Sequence, residues 1–156
     1  MKKRLLFVCL GNICRSPAAE TIAQKMIANR GLQESIEVDS AGISGYHHGE
    51  PADQRMRAEA GAHGYRITCT SRPVTLDDYD NFDLIIGMDD ANVQALYDKA
   101  PTLEASRKIV RMADYLNPDN VWDHVPDPYY GGHQGFVLVI ELLEEAIGNL
   151  LDSLEA

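Results

Sequence analysis

The chain has 156 residues, 45% hydrophobic and 24% charged, the proportions of one ordinary globular domain and not of a disordered, collagenous or coiled-coil chain. Fourteen basic against twenty-four acidic side chains give a net charge of −10, which argues against a nucleic-acid partner, because affinity for a phosphate backbone is built from Lys and Arg. No apolar run reaches membrane-spanning length, and three cysteines, an odd number, do not make a disulfide framework.

Lys2-Lys3-Arg4 is followed by only a short apolar stretch, Leu5 to Leu10, too short for a secretory signal, so a cytoplasmic chain is expected. Arg4 to Val8 predicts a strand, which ends in the glycine-containing loop Cys9-Leu10-Gly11-Asn12-Ile13-Cys14-Arg15. Ser16-Pro17 then opens a helical stretch to about Arg30, with Ser16 as N-cap, Pro17 in the first turn where a missing N–H costs nothing, and Glu20 favouring the dipole. Ile22, Met26 and Ile27 recur at helical spacing. A second strand is expected at Ile36 to Asp39, closed by Ser40-Ala41-Gly42, and a second helix at Ala52 to Ala62, ended by His63-Gly64. Asp83 to Met88 reads as a strand buried on both faces, and Asp89 to Leu96 restarts a helical pattern. Arg107 to Val110 supplies a fourth strand. A last helix from Gly132 or Gln134 to Leu154 carries Val137, Ile140, Leu143, Ile147, Leu150, Leu151 and Leu154 along one stripe. This alternation predicts an α/β protein, an open parallel sheet with helices on both faces.

In such a sheet ligands bind beyond the carboxyl ends of the strands, and the loop after Val8 opens straight into a helix whose N-terminal amides would face an anion. The Gly-Lys-Ser/Thr ending of an ATP-binding loop is absent, as is Gly-x-Gly-x-x-Gly. What remains is a thiol, Cys9, at the start of the cradle and a guanidinium, Arg15, at its close. A helix N-terminus beside an arginine stabilises a thiolate, so Cys9 is a candidate nucleophile that needs no separate base. The planar fork of Arg15 can grip two oxygens of a phosphoryl group, and Ser16 can donate a hydrogen bond to the thiolate. The bare spacing of Cys9 and Arg15 is weak evidence, and a cysteine after an apolar run is often a small core residue. Its place at a strand end, with Gly11, Asn12 and Ser16-Pro17 around it, carries the argument.

The run Val8-Cys9-Leu10-Gly11-Asn12-Ile13-Cys14-Arg15-Ser16-Pro17 resembles the signature of the low-molecular-weight protein tyrosine phosphatases. Asp39-Ser40-Ala41-Gly42, Met88-Asp89 and Asp127-Pro128-Tyr129-Tyr130-Gly131 resemble the same family in the same order, so the likeness spans nearly the whole chain, residues 1–156 as one domain. It implies a flavodoxin-like three-layer fold with a four-stranded parallel sheet, and hydrolysis of protein phosphotyrosine without metal or cofactor through a phosphocysteine. Cys9 would be the nucleophile, Arg15 the phosphate clamp, and Asp127 the general acid that later activates water. The amides from Leu10 through Gly11, Asn12, Ile13 and Cys14 to Arg15 would bind the phosphate. Asn12, with Ser16 and Ser40, would hold the strained loop. Tyr46, Tyr129 and Tyr130 would line the substrate pocket, Tyr46 standing where many members carry tryptophan. Read alone, Asp127-Pro128 marks a turn, with Asp119 and Asp123 nearby; the Asp-Pro-Tyr-Tyr setting selects it, because proline stiffens the loop and aromatic neighbours favour a protonated carboxyl.

Cys14 matches a thiol that in the family forms a reversible disulfide with the nucleophile, against the plainer reading of a small loop residue. Cys69 falls where a number of members have histidine three residues before arginine; an inert buried thiol is the favoured reading. His47 and His48 read as exposed loop residues, not metal ligands. Two alternatives stay open. An arsenate reductase of the same fold adds a relay of cysteines, usually after the third strand, where Ile86 to Asp90 has none. A non-catalytic phosphotyrosine-binding protein would need neither thiolate nor acid. The expected partner is a phosphotyrosine-containing protein, with no nucleic acid, no membrane and a monomeric chain.

Overall fold

Strands and helices alternate along residues 2 to 155, the residues that the computed structural model describes. β1 spans Lys3–Cys9, α1 Arg15–Asn29, β2 Ile36–Gly42, α2 Gln54–Ala62 and α3 Leu76–Asn81. They are followed by β3 Leu84–Gly87, α4 Asp90–Lys99, α5 Leu103–Ser106, β4 Ile109–Arg111, a 3-10 turn at Met112–Tyr115, and α6 His133–Glu155. All four strands are parallel in the order β2-β1-β3-β4. This is the flavodoxin-like three-layer α/β fold. The winding reverses beside β1, and such a reversal is where an open sheet leaves a crevice at its carboxyl edge. Cys9 is the last residue of β1 and pairs in register with Gly42, the last of β2.

β1 is buried on both faces because helices pack against both sides of the sheet, so it reads as continuous apolar sequence without alternation. Leu5, Phe7 and Cys9 join the core shared with α1 and α6, while Leu6 and Val8 join the opposite core with Tyr79, Val93 and Leu96. α6 closes the first layer with Phe136, Val139, Ile140, Leu143, Ala146, Ile147, Leu150 and Leu151, and Val137 of the expected stripe is only partly buried.

Several local expectations are corrected. Ser16 is not the N-cap of α1: Cys14 holds that position without a side-chain cap bond, and Ser16 lies buried inside the first turn with its hydroxyl committed to the loop. Glu20 does not serve the dipole from the surface; it is buried and accepts from Ser40. β2 does not stop at Asp39 but runs through Gly42, because residues 40–42 pair with the end of β1. α2 and α4 start later than the apolar pattern suggests, capped by Asp53 and Asp89. α3, α5 and the 3-10 turn are too short for a periodic signal, each spanning less than two turns.

Candidate active site

The loop after β1 is fastened by its carbonyls, which leaves its amides free. Ile43 N–H donates to Cys9 O at 2.9 Å, Ser44 N–H to Leu10 O at 2.8 Å, and Asp53 N–H to Ile13 O at 2.7 Å. Ser71 Oγ donates to Gly11 O at 3.0 Å. Among the described residues, none of the N–H groups of Leu10, Gly11, Asn12, Ile13 and Cys14 donates to a protein acceptor. Successive free amides at a helix N-terminus form an anion-binding concavity. The reversal of the chain depends on Asn12, whose φ of 56° makes it the one non-glycine residue in the left-handed region among the described residues. Its side chain holds it there: Nδ2 donates to Ser16 Oγ at 2.7 Å and Oδ1 accepts from Arg72 N–H at 3.0 Å. Ser40 is not brought to Asn12. Its hydroxyl donates to Glu20 Oε1 at 2.5 Å instead, and the Arg72 amide fills the supporting place.

Cys9 is buried at the base of this cradle. Its Sγ accepts from Ser16 N–H at 3.4 Å and lies 3.1 Å from Ser16 Oγ. That hydroxyl accepts from Asn12 and has one proton to give, either to the sulfur or to Ala41 O at 3.3 Å. Arg15 is 2% exposed; its Nη1 donates to Asp89 Oδ2 at 2.7 Å and to Val125 O at 3.0 Å. Burial works against its charge, but the neighbouring Cys9 and the hydrogen-bonded Asp89 carboxylate raise its pKa above the ordinary arginine value. Arg15 Nη2 lies 3.5 Å from Asp127 Oδ2. Residues 112 positions apart in sequence thus meet at one guanidinium.

Cys9, Arg15 and Asp127 line one open cavity of about 430 Å³. Its mouth is formed by Leu10, Tyr46, Tyr129 and Tyr130, with Tyr46 84% and Tyr130 94% exposed. Tyr129 and Tyr130 stack edge to face at 4.9 Å. His47 was expected to be an exposed loop residue, and it is instead partly buried over Gly11, bonded through Nδ1 to Glu50 Oε2 at 3.0 Å and part of the cavity wall. His48 is exposed.

Cys14 also faces the cavity, as a free thiol. Burial, and then the charges of Asp53, Cys9 and Asp127, push its pKa far up, so it stays protonated. Cys69 is partly buried outside the cavity, beside Glu20. Its pKa is pushed up to about 12, by burial first and the Glu20 carboxylate second. Asp89, Arg72, Ser71, His47 and Arg55 enter the site without having been assigned a place in it. Two of them were touched in the sequence, Asp89 in Met88-Asp89 and Arg72 as the arginine three residues after Cys69, but nothing in the spacing says what they bond.

Sheet, loop and thiol together define an α/β protein whose free loop amides and Arg15 face one cavity with a buried cysteine at its base. The sequence profile described as low molecular weight phosphotyrosine protein phosphatase matches residues 4–156. A low molecular weight protein-tyrosine-phosphatase of Streptomyces coelicolor is 39% identical over 97% of this chain and 93% of its own. The human low molecular weight phosphotyrosine protein phosphatase is 35% identical over 89% and 87%. The crystal structure of a protein tyrosine phosphatase from Entamoeba histolytica superposes with a TM-score of 0.95 at 47% identity, covering 99% of this chain and 97% of that one. The chain therefore belongs to the low molecular weight protein tyrosine phosphatase family and is an enzyme of that family.

Proposed function

We propose that the chain hydrolyses phosphotyrosine in proteins, with Cys9 as nucleophile, Arg15 as phosphate clamp and Asp127 as general acid and base. The phosphoryl group enters the cradle of free amides and takes Arg15 Nη2 from Asp127. The Cys9 thiolate forms a bond to phosphorus, the bond to the tyrosyl oxygen breaks, and the Asp127 carboxyl gives its proton to that oxygen. Water then attacks the phosphocysteine, Asp127 takes a proton from it, and the sulfur–phosphorus bond breaks to return thiolate and release inorganic phosphate. The single Ser16 proton turns to the sulfur whenever it is anionic and to Ala41 O when it is esterified. The amides and Arg15 stabilise the equatorial oxygens throughout.

The observation that carries this reading is the meeting of Asp127 and the phosphate clamp, 3.5 Å apart, over the Cys9 loop. A reductase relay has no cysteine to use between Ile86 and Asp90, and a binding protein has no use for an acid at the mouth. Tyr46, Tyr129 and Tyr130 give the cavity a depth and an aromatic wall suited to a phosphotyrosyl ring. The protein works as a monomer in the reducing cytoplasm, where Cys9, Cys14 and Cys69 stay unpaired, as they are here, and Cys14 protects Cys9 reversibly from oxidation. Hydrolysis of p-nitrophenyl phosphate in chelator, with vanadate inhibition, is the expected result. Cys9→Ser abolishes turnover and Asp127→Asn lowers it by about 10²-fold or more while phosphate still binds. Full activity in Cys9→Ser, or arsenate reduction faster than phosphate release, would overturn the assignment.

A further inference from the structure

We propose that Arg55, held by Asp53, is the positioning residue that keeps the Asp127 segment in register with the phosphate-binding loop; this rests on Asp127 being the general acid. Asp127 lies in a stretch without regular secondary structure, and its carboxylate is 38% exposed. Apart from its own loop, the one polar group that reaches it among the described residues is Arg15 Nη2, and an entering phosphate competes for that donor. An acid must nonetheless stay within hydrogen-bond reach of the leaving oxygen, so the segment needs a restraint that substrate does not remove.

Tyr129 provides the handle. Its N–H donates to Asp127 Oδ1 at 3.0 Å, so the acid and the tyrosine move together. The Arg55 guanidinium lies 5.3 Å from the Tyr129 ring and 4.9 Å from the Phe136 ring of α6, within stacking range of both. Asp53 fixes the guanidinium edge, Oδ1 accepting from Nε at 3.1 Å and Oδ2 from Nη2 at 3.0 Å. Asp53 is fixed in turn: Oδ1 caps α2 by accepting Arg55 N–H at 2.8 Å, and its own N–H donates to Ile13 O at 2.7 Å. A continuous chain of contacts, from Ile13 through Asp53, Arg55 and Tyr129 to Asp127, therefore joins the nucleophile's loop to the acid.

Arg55 is half exposed, so its truncation leaves no core cavity and the fold should persist. The test is kcat/KM, which covers steps up to phosphocysteine formation, for p-nitrophenyl phosphate, whose leaving group needs little protonation, and phenyl phosphate, whose leaving group needs much. Arg55→Ala is expected to lower kcat/KM about tenfold more for phenyl phosphate than for p-nitrophenyl phosphate. Asp53→Asn, which keeps the helix cap, moves the ratio in the same direction, and Arg55→Lys restores it only in part because the planar fork is lost. In an Asp127→Asn background, Arg55→Ala should change the phenyl phosphate value by less than about twofold. Equal losses on both phosphates, or the same loss in both backgrounds, would overturn the inference while leaving the phosphatase assignment standing. A wild-type chain inactive on both phosphates would overturn that assignment and the inference with it.

Discussion

Glu20 and Cys69 bear on what a single residue's surroundings decide. Glu20 reads in sequence as an acid favouring the dipole of α1, yet it is buried, with Ser40 Oγ and Gln24 Nε2 donating to its carboxylate at 2.5 and 3.3 Å. Burial raises its pKa above the ordinary 4.5, and the Ser40 bond offsets this only in part. A carboxyl shifted up in the folded state contributes stability that is complete below 4.5 and is lost as pH rises through the folded value. Glu20→Gln removes that loss and keeps an oxygen for Ser40, so its Tm relative to wild type should be higher at pH 7.5 than at pH 4.5. Thermal unfolding at both pH values checks it, and equal differences would contradict it. Cys69, with its pKa near 12, has almost no thiolate at neutral pH, which fits an inert thiol and predicts that iodoacetamide spares it. That Cys9, Arg15 and Asp127 share one cavity was legible because the family resemblance rests on short motifs around each of them. Asp89 and Arg72 were not, since they reach the loop across 74 and 60 residues and only the winding of the sheet brings them there.

Between β1 and α1, the strand, loop and helix could be read from an apolar run, a glycine and a proline, but the way the loop is held could not. It depends on β2 running on to Gly42 and its extension donating to Cys9 O and Leu10 O. A Cβ built on Gly42 would sit 3.0 Å from Asn12 N, Gly11 C and Leu10 O, all backbone atoms with little room to yield. That close approach is why glycine closes β2, a reason invisible in Ser40-Ala41-Gly42 read only as the close of the strand. Gly42→Ala should push the phosphate loop outward and misplace the free amides. A displacement approaching 1 Å predicts a loss of about 10²-fold in kcat/KM, with overpacking costing about 1–3 kcal/mol of stability. Steady-state kinetics with chemical denaturation measure both, and wild-type kinetics in the alanine variant would mean that the loop adapts.

Charge acts on the scale of the whole molecule, where −10 surrounds a site built for an anion. Much of the cationic charge is locally answered: Arg30 meets Asp152 and Glu155, Arg72 meets Asp39 and Asp78, and Arg111 meets Asp90 and Asp114. Arg15 sits 2% exposed at the bottom of the cavity, so its charge acts on a phosphate already inside and contributes little to the field outside. An approaching phosphopeptide therefore meets a negative exterior before a positive cradle. At about 0.01 M salt, with a Debye length of about 30 Å, the exterior acts on the whole peptide; at about 1 M, with about 3 Å, it acts on almost none of it. Phosphotyrosyl peptides flanked by Lys and Arg should then be preferred over the same peptides flanked by Asp and Glu at low salt. Their kcat/KM ratio is expected to fall by about tenfold or more toward unity across that range. p-Nitrophenyl phosphate serves as the reference for any effect of salt on the cradle itself. A preference that persists unchanged at high salt would place it in direct contacts at the mouth, around His47, Tyr46 and Tyr130, and not in the field of the acidic surface.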